Sequence, residues 1–172
     1  MASHFNISGE LTQQLLAPGA NIGVFKVSLT NVQKVSSCKV DLYVEKALTG
    51  KFYLLKGVEL PIGATLMYEP PSVIKTTINE FGLYIKLTDG ATFTLTGSID
   101  VTGTNTSVPG TNTLFTSELS VGDEVVVSGE TRTISSITSD TAAVVSAAFG
   151  SDLSDDTSPD CNPTALVDVI LN

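Results

Sequence analysis

Apolar and polar residues alternate along much of the chain with the period of a β-strand. In residues 38–45, Val40, Leu42 and Val44 fall on one side and Lys39, Asp41 and Glu45 on the other, as a strand with one buried face requires. Residues 23–30 repeat the pattern, with Phe25, Val27 and Leu29 together. Two further strands are predicted at 52–55 and 65–68, flanking Pro61-Ile62-Gly63, where proline and glycine favour a turn. Residues 73–78 and 83–87 follow the Pro70-Pro71 break, which reads as an extended surface connection. Such segments recur about every 8 to 12 residues, the spacing of a sandwich or barrel. Only residues 10–16 carry a weak helical pattern.

From residue 91 the composition shifts to Thr, Ser, Gly and Val, without lysine. A separate small β-barrel over 91–150 is predicted, with strands at 92–95, 98–101, 124–127, 131–137 and 142–145. Ser128-Gly129-Glu130-Thr131 puts glycine first of two central turn residues, which suits a type II′ hairpin. Ser139-Asp140 makes the next reversal. Phe115 and Leu119 stand in a stretch otherwise made largely of Thr, Ser and Asn, and they are expected to plug one end of the barrel. Residues 151–163 read as an acidic linker or loop, after which an isolated strand appears at 165–171. A lone terminal strand must join a sheet to be stable. Pairing with residues 83–87 would make the barrel an insertion in a first domain formed by 1–90 and 164–172. Insertion of this kind is tolerated where chain ends lie close together. The expected fold is therefore all-β: an N-terminal β-sandwich completed by the C-terminal strand, with a small β-barrel inserted.

Composition narrows the function. The 172 residues are 42% hydrophobic and 16% charged, so the chain can fold and bury roughly 70% of its unfolded surface in one core or two small ones. No apolar run approaches the roughly 20 residues of a membrane span, and the first residues lack a basic, then apolar, leader pattern; neither membrane insertion nor signal-driven secretion is expected. Charge is asymmetric. Residues 1 to 89 hold eight lysines and seven acidic residues, whereas residues 90 to 172 hold Arg132 against eleven Asp and Glu. Such a half repels a phosphate backbone, so nucleic acid is not an expected partner. An acidic surface also keeps a β-rich protein soluble and discourages edge pairing.

The chemical inventory is short: one His, two Cys and no Trp. His4 lies near a terminus, and one histidine allows neither a multi-His zinc site nor an expected His-based triad within one subunit. Cys38 and Cys161 have no CxxC spacing and are expected to stay reduced. Asp152, Asp155, Asp156 and Asp160 offer oxygen ligands for calcium, but their spacing matches neither the EF-hand loop nor the glycine-rich nonapeptide repeat. A solvated loop is the simpler reading. The chain contains no GxGxxG or Walker-type phosphate loop, and the acceptor-like triplets Asn6-Ile7-Ser8 and Asn105-Thr106-Ser107 fit chance occurrence. No catalytic, cofactor-binding or metal-ligating residue is assigned, no cofactor is expected, and an enzyme is not the expected class.

Two stretches carry a resemblance. Residues 26–32, 40–44 and 52–66, with Phe52-Tyr53-Leu54-Leu55-Lys56-Gly57-Val58 and Pro61-Ile62-Gly63, resemble small virion structural proteins of T-even-like marine and cyanobacterial tailed phages. Residues 101–104, 113–124 and 134–142, with Phe115-Thr116-Ser117-Glu118-Leu119 and Val121-Gly122-Asp123-Glu124, are similar to a small β-barrel module repeated in phage fibre and baseplate proteins. Asn105-Thr106-Ser107-Val108-Pro109-Gly110 lengthens the loop before Phe115 relative to that module. The resemblance implies a non-enzymatic structural protein of the virion, assembled in the host cytoplasm. It would be a capsid decoration or cement protein or another particle-surface accessory, with a neck, tail or baseplate component as the alternative. Other virion proteins are the implied partners. Presentation in many copies implies a homo-oligomer, a trimer or higher ring, with the first domain docking and the barrel projecting. A carbohydrate- or receptor-binding β-module of a fibre is the competing reading; it needs exposed aromatic rings, for which Tyr43 and Tyr68 are the candidates.

Overall fold

The computed structural model describes residues 2–46, 50–76 and 81–172. The chain divides into two compact units: Met1–Gln33, Ser37–Asp89 and Ala165–Asn172 form unit 1, and Lys34–Ser36 with Gly90–Thr164 form unit 2. Unit 1 contains β1 (Ser3–Ser8), β2 (Gln13–Leu16), β3 (Gly23–Val24), β4 (Val27–Asn31), β5 (Cys38–Lys46), β6 (Gly50–Leu60), β7 (Thr65–Tyr68), β8 (Ile74–Lys75) and β9 (Phe81–Thr88). Unit 2 follows with β10 (Phe93–Thr94), β11 (Ser98–Val101), β12 (Ser107–Thr111), α1 (Phe115–Glu118), β13 (Glu124–Val127), β14 (Glu130–Ser139), β15 (Ala142–Val145), β16 (Leu153–Asp156) and β17 (Asp160–Asn162). The chain then returns to unit 1 as β18 (Leu166–Leu171). Among the described residues the protein is all-β apart from one helical turn, and no described helix is long and apolar enough to cross a membrane.

Unit 1 is a sandwich of two antiparallel four-stranded sheets, ordered β1-β18-β4-β7 and β2-β9-β5-β6. Their inward residues share one core that includes Ile7, Leu29, Val40, Leu42, Leu83, Ile85, Val167 and Val169. Alternation produces this directly: Val27, Leu29 and Asn31 are buried while Ser28 and Thr30 are half-buried. The last strand pairs with β1 and β4, not with β9, whose neighbours are β2 and β5. The reason is alternation on both flanks, since Val167 and Val169 bury between Ile7 and Phe5 of β1 and Asn31 and Leu29 of β4. Asp89 and Ala165, where the chain leaves unit 1 and re-enters it, are joined by the Ala165 N–H donating to Asp89 Oδ1 at 2.7 Å.

Other expectations are corrected. Residues 13–16 form a strand rather than a helix, because the edge of β9 offers backbone partners that a seven-residue helical pattern cannot match. Phe25 is not with Val27 and Leu29; it is 66% exposed in a break between β3 and β4. There its N–H and that of Lys26 both donate to the carbonyl of Asn172. The expected strand at 73–78 is observed at Ile74–Lys75, and Thr77 and Ile78 lie outside the described residues.

Unit 2 is one antiparallel eight-stranded sheet, ordered β10-β17-β13-β14-β15-β12-β11-β16, curled on a single core. Residues 151–163 are not a free linker: Leu153–Asp156 and Asp160–Asn162 pair with β11, β10 and β13. The lengthened loop likewise contains β12. Pro109 is the last residue in register with β15, and pairing with β11 begins at Gly110, so the missing N–H falls where the strand changes partner. Gly110 is required by close approach, since a Cβ there would lie 2.1 Å from Thr113 Oγ1 and 2.9 Å from the Phe115 ring. The β13–β14 hairpin pairs Val127 with Glu130, so Ser128 and Gly129 are its central residues, at φ 48° and 86°. Two positive φ values make a type I′ turn instead of the expected II′.

Each unit buries one free cysteine, Cys38 in unit 1 and Cys161 in unit 2. Burial first, then the Asp89 charge, pushes the Cys38 thiol up to about 11. Burial first, then Asp123 and Glu118, raises Cys161 as well. Both thiols should therefore be silent to Ellman's reagent in the native protein and react on unfolding. The unfolded chain gives up the Cys38 proton first, near the ordinary value of 9.0. Stability is then unaffected by this group below pH 9 and falls between pH 9 and about 11, by about 1.4 kcal/mol per pH unit. Urea melts of the wild type should show this fall, and Cys38→Ala should show less of it; identical slopes would contradict the assignment.

Candidate functional site: a tyrosine row on the outer face of one sheet

The sheet β2-β9-β5-β6 turns Val40, Leu42, Leu83 and Ile85 into the core, so the alternate residues of the same strands form its outer face. Register aligns Tyr43 of β5 with Tyr53 of β6 and Tyr84 of β9, and Tyr84 with Gln14 of β2. The result is a row of three tyrosines and an amide across four strands. Tyr43 and Tyr84 stack with centroids 5.7 Å apart, and Tyr53 tilts against Tyr43 at 5.4 Å. Gln14 Nε2 donates to the Tyr84 hydroxyl at 2.7 Å, and the Tyr43 hydroxyl donates to Thr12 Oγ1 at 3.4 Å.

Lysines and carboxylates frame this row in alternating register. Lys39 opposes Glu59, Asp41 opposes Lys86 and Glu45 opposes Lys51, pairings that stabilise neighbouring strands. Asp41 also accepts the Gly57 N–H at 2.6 Å, and Glu59 accepts the Ser37 hydroxyl at 3.0 Å. Lys51 Nζ lies 4.5 Å from the Tyr43 ring centroid and Lys56 Nζ 4.1 Å from that of Tyr53, within the range of cation–π attraction. The Lys51 ammonium is held above its ordinary value, first by its hydrogen bond with Tyr43 and then by charges including Glu45. The face is aromatic and close to electrically balanced. Tyr53, 41% exposed, is its accessible ring. At the strand ends, on the opposite side of the sheet, exposed Phe52 packs edge-on against Phe81 at 6.1 Å, with Lys46 Nζ 5.7 Å above the Phe81 ring.

The residues singled out in the sequence are distributed differently from expectation. Tyr43 is 1% exposed beneath Tyr53, Tyr84 and Lys51, so it supports the row without presenting a ring. Tyr68 is half-buried in the other sheet, opposite Val27. His4 and Asn6 are exposed on β1, and Asn6 Nδ2 donates to Asp168 Oδ1 at 2.7 Å. Asn105 is used in a turn, its Oδ1 accepting the Ser107 N–H at 3.0 Å. Three aspartates of the acidic segment are engaged in hydrogen bonds. Asp152 accepts the Gly103 N–H at 2.8 Å, Asp156 accepts the N–H groups of Ser128 and Ser158, and Asp160 accepts the Thr94 hydroxyl at 2.8 Å. No group of three or more His, Cys, Asp or Glu among the described residues is placed to hold a metal ion.

Sequence reading missed two features. One is the tyrosine row, whose members are far apart in sequence and meet only through register. The other is Asp123, which is wholly buried: its carboxylate accepts the N–H groups of Ser120 at 2.7 Å and Thr164 at 2.9 Å and the Cys161 thiol at 3.9 Å. This aspartate ties the turn before β13 to the segment that leaves unit 2. Its only sequence signal is a Val-Gly-Asp turn.

Comparison with known proteins adds little to this geometry. No family model and no curated protein matches the chain. Among solved structures, a chain of the T13 IBDV viral particle aligns with 99% of this chain at 7% identity and a TM-score of 0.29. This chain spans 38% of the length of that one. A likeness this distant does not establish a shared fold.

Proposed function

We propose that the protein is a non-enzymatic structural component of a tailed-phage virion, a decoration protein or another accessory of the particle surface. The observation that carries the proposal is the outer face of β2-β9-β5-β6, a preorganised tyrosine row with balanced charges and one accessible ring. Tyrosine-rich surfaces of this kind are what protein interfaces use at their centres, because a two-torsion side chain contributes large contact area at small entropic cost. Unit 1 is read as the docking unit on this ground. The net acidity of unit 2 keeps a protein present in many copies soluble before assembly.

A saccharide-binding reading is weaker for a geometrical reason: Tyr43 is buried, and Lys56 Nζ already stands over one face of Tyr53. The docking reading predicts that Tyr53→Ala combined with Lys56→Glu lowers incorporation into particles by about tenfold or more. Incorporation would be measured by quantitative mass spectrometry alongside a thermal melt of the free protein. Normal incorporation of the folded double variant would sink the assignment of this face.

A further inference from the structure

The sandwich of unit 1 has four edge strands, and three of them carry features that discourage pairing with another chain. β2 is four residues long with an irregular register between Gln14 and Leu16. β6 carries Lys51 and Lys56, an irregular register and Gly57 at φ 59°. β7 is four residues long, and Glu69, Pro70 and Pro71 follow it. Charges, prolines, bulges and short length are the usual guards of a β-edge. β1 has none of these. Its six residues, Ser3-His4-Phe5-Asn6-Ile7-Ser8, run in unbroken register with β18 and include no Lys, Arg, Asp, Glu, Pro or Gly.

We propose that β1 is a self-association edge, taking as its partner β1 of a second copy of this chain in antiparallel, two-fold pairing. The direction of its backbone groups follows from the ladder. Gly9 N–H donates to the Ala165 carbonyl at 2.9 Å, and Gly9 opposite Ala165 continues the register of Ser8 with Leu166. Hydrogen-bonded pairs alternate in antiparallel sheets. Ile7, Phe5 and Ser3 therefore spend their backbone groups on β18, and His4, Asn6 and Ser8 direct theirs to the open edge. The Ser8 carbonyl receives one long contact, from Gln13 Nε2 at 3.4 Å.

A two-fold axis at Asn6 matches these groups to themselves. Asn6 then faces Asn6 of the second copy and His4 faces Ser8, giving three pairs that each exchange two backbone hydrogen bonds. Facing residues share a side of the sheet, so Phe5 meets Ile7 of the second copy on the core side, apolar against apolar. Polar His4, Asn6 and Ser8 meet on the outer side. No like charges are brought opposite one another, whereas self-pairing of β6 would set its lysines near each other. On the outer side an open groove of about 270 Å³ runs along β1 and β18, lined by His4, Phe5, Asn6, Asp168, Val169 and Ile170. Pairing extends the sheet across this edge and makes one sheet of the two copies' β7-β4-β18-β1 halves. The contact is two-fold, distinct from the ring that many-copy presentation suggests, and it does not depend on the proposed virion role.

Analytical ultracentrifugation of the full chain from 1 to 200 µM, with hydrogen exchange of β1, tests it. The wild type should dimerise reversibly, with slowed exchange at His4, Asn6 and Ser8 in the dimer. Asn6→Pro removes a backbone N–H that points to the open edge, where proline is tolerated, together with the exposed side-chain donor to Asp168. It should leave the melting temperature nearly unchanged while weakening the dimer on the order of tenfold to a hundredfold, from two lost hydrogen bonds. Asn6→Lys, which keeps a partner for Asp168, is the second variant and should weaken the dimer similarly. A wild type that stays monomeric to 200 µM would overturn the proposal. So would a dimer whose affinity is the same in both folded variants.

Discussion

A chain ending before Leu166 is expected to lose the fold of unit 1. β18 lies between β1 and β4 in its sheet, so its removal leaves β1 without a neighbour and opens the sandwich along its length. It also takes away Val167, Val169 and Leu171, all at most 3% exposed. At about 1.5 to 3 kcal/mol for each buried aliphatic side chain, the loss is roughly 5 to 9 kcal/mol before any hydrogen bond is counted. That is comparable to the whole stability of a typical domain, about 5 to 15 kcal/mol. Hydrogen exchange read by mass spectrometry should show peptides from β1, β4 and β7 unprotected in the truncated chain. Protection at wild-type levels would mean that the sandwich closes without its last strand.

Phe115→Ala should be the most damaging single substitution in unit 2, costing about 3 to 5 kcal/mol. The ring is fully buried on a four-residue helical turn with no side-chain cap at Leu114. That turn is held instead by Asp140, whose carbonyl accepts the N–H of Phe115 at 3.1 Å and whose carboxylate accepts the N–H of Thr116 at 3.1 Å. Gly110 approaches the ring closely, since a Cβ there would lie 2.9 Å from it and would also overlap the Thr113 side chain. Urea denaturation followed through unit 2 peptides measures the cost. A loss below about 1 kcal/mol would mean that the ring is not the plug of this core.

The strands that sequence reading located best are short apolar or alternating runs bounded by turn residues. Residues 98–101, 124–127 and 142–145 coincide with β11, β13 and β15: Ser98 and Asp100 alternate with Ile99 and Val101, while Glu124-Val125-Val126-Val127 and Ala142-Ala143-Val144-Val145 are apolar runs too short for a helix. Failures have a common physical origin in tertiary pairing. β12 contains Pro109 and Gly110, β16 and β17 contain three aspartates, and none has the composition of a strand. Each is a strand because a neighbour supplies hydrogen bonds, and in β16 the Asp156 carboxylate also holds the adjacent Ser128-Gly129 turn. The candidate surface was hidden for the same reason. Tyr43, Tyr53 and Tyr84 were visible as residues, but a one-residue change of register would send them to different faces. The C-terminal strand was legible as a strand, whereas its partners, β1 and β4, were not.

The most direct test of the proposed role is the amount of this chain in purified phage particles, measured by quantitative mass spectrometry against the major capsid protein. The account predicts a fixed stoichiometry: hundreds of copies for a lattice-wide decoration protein, a few to a few dozen for a neck, tail or baseplate accessory. Absence from particles, with the protein abundant in the same lysate, would contradict a structural role in the virion.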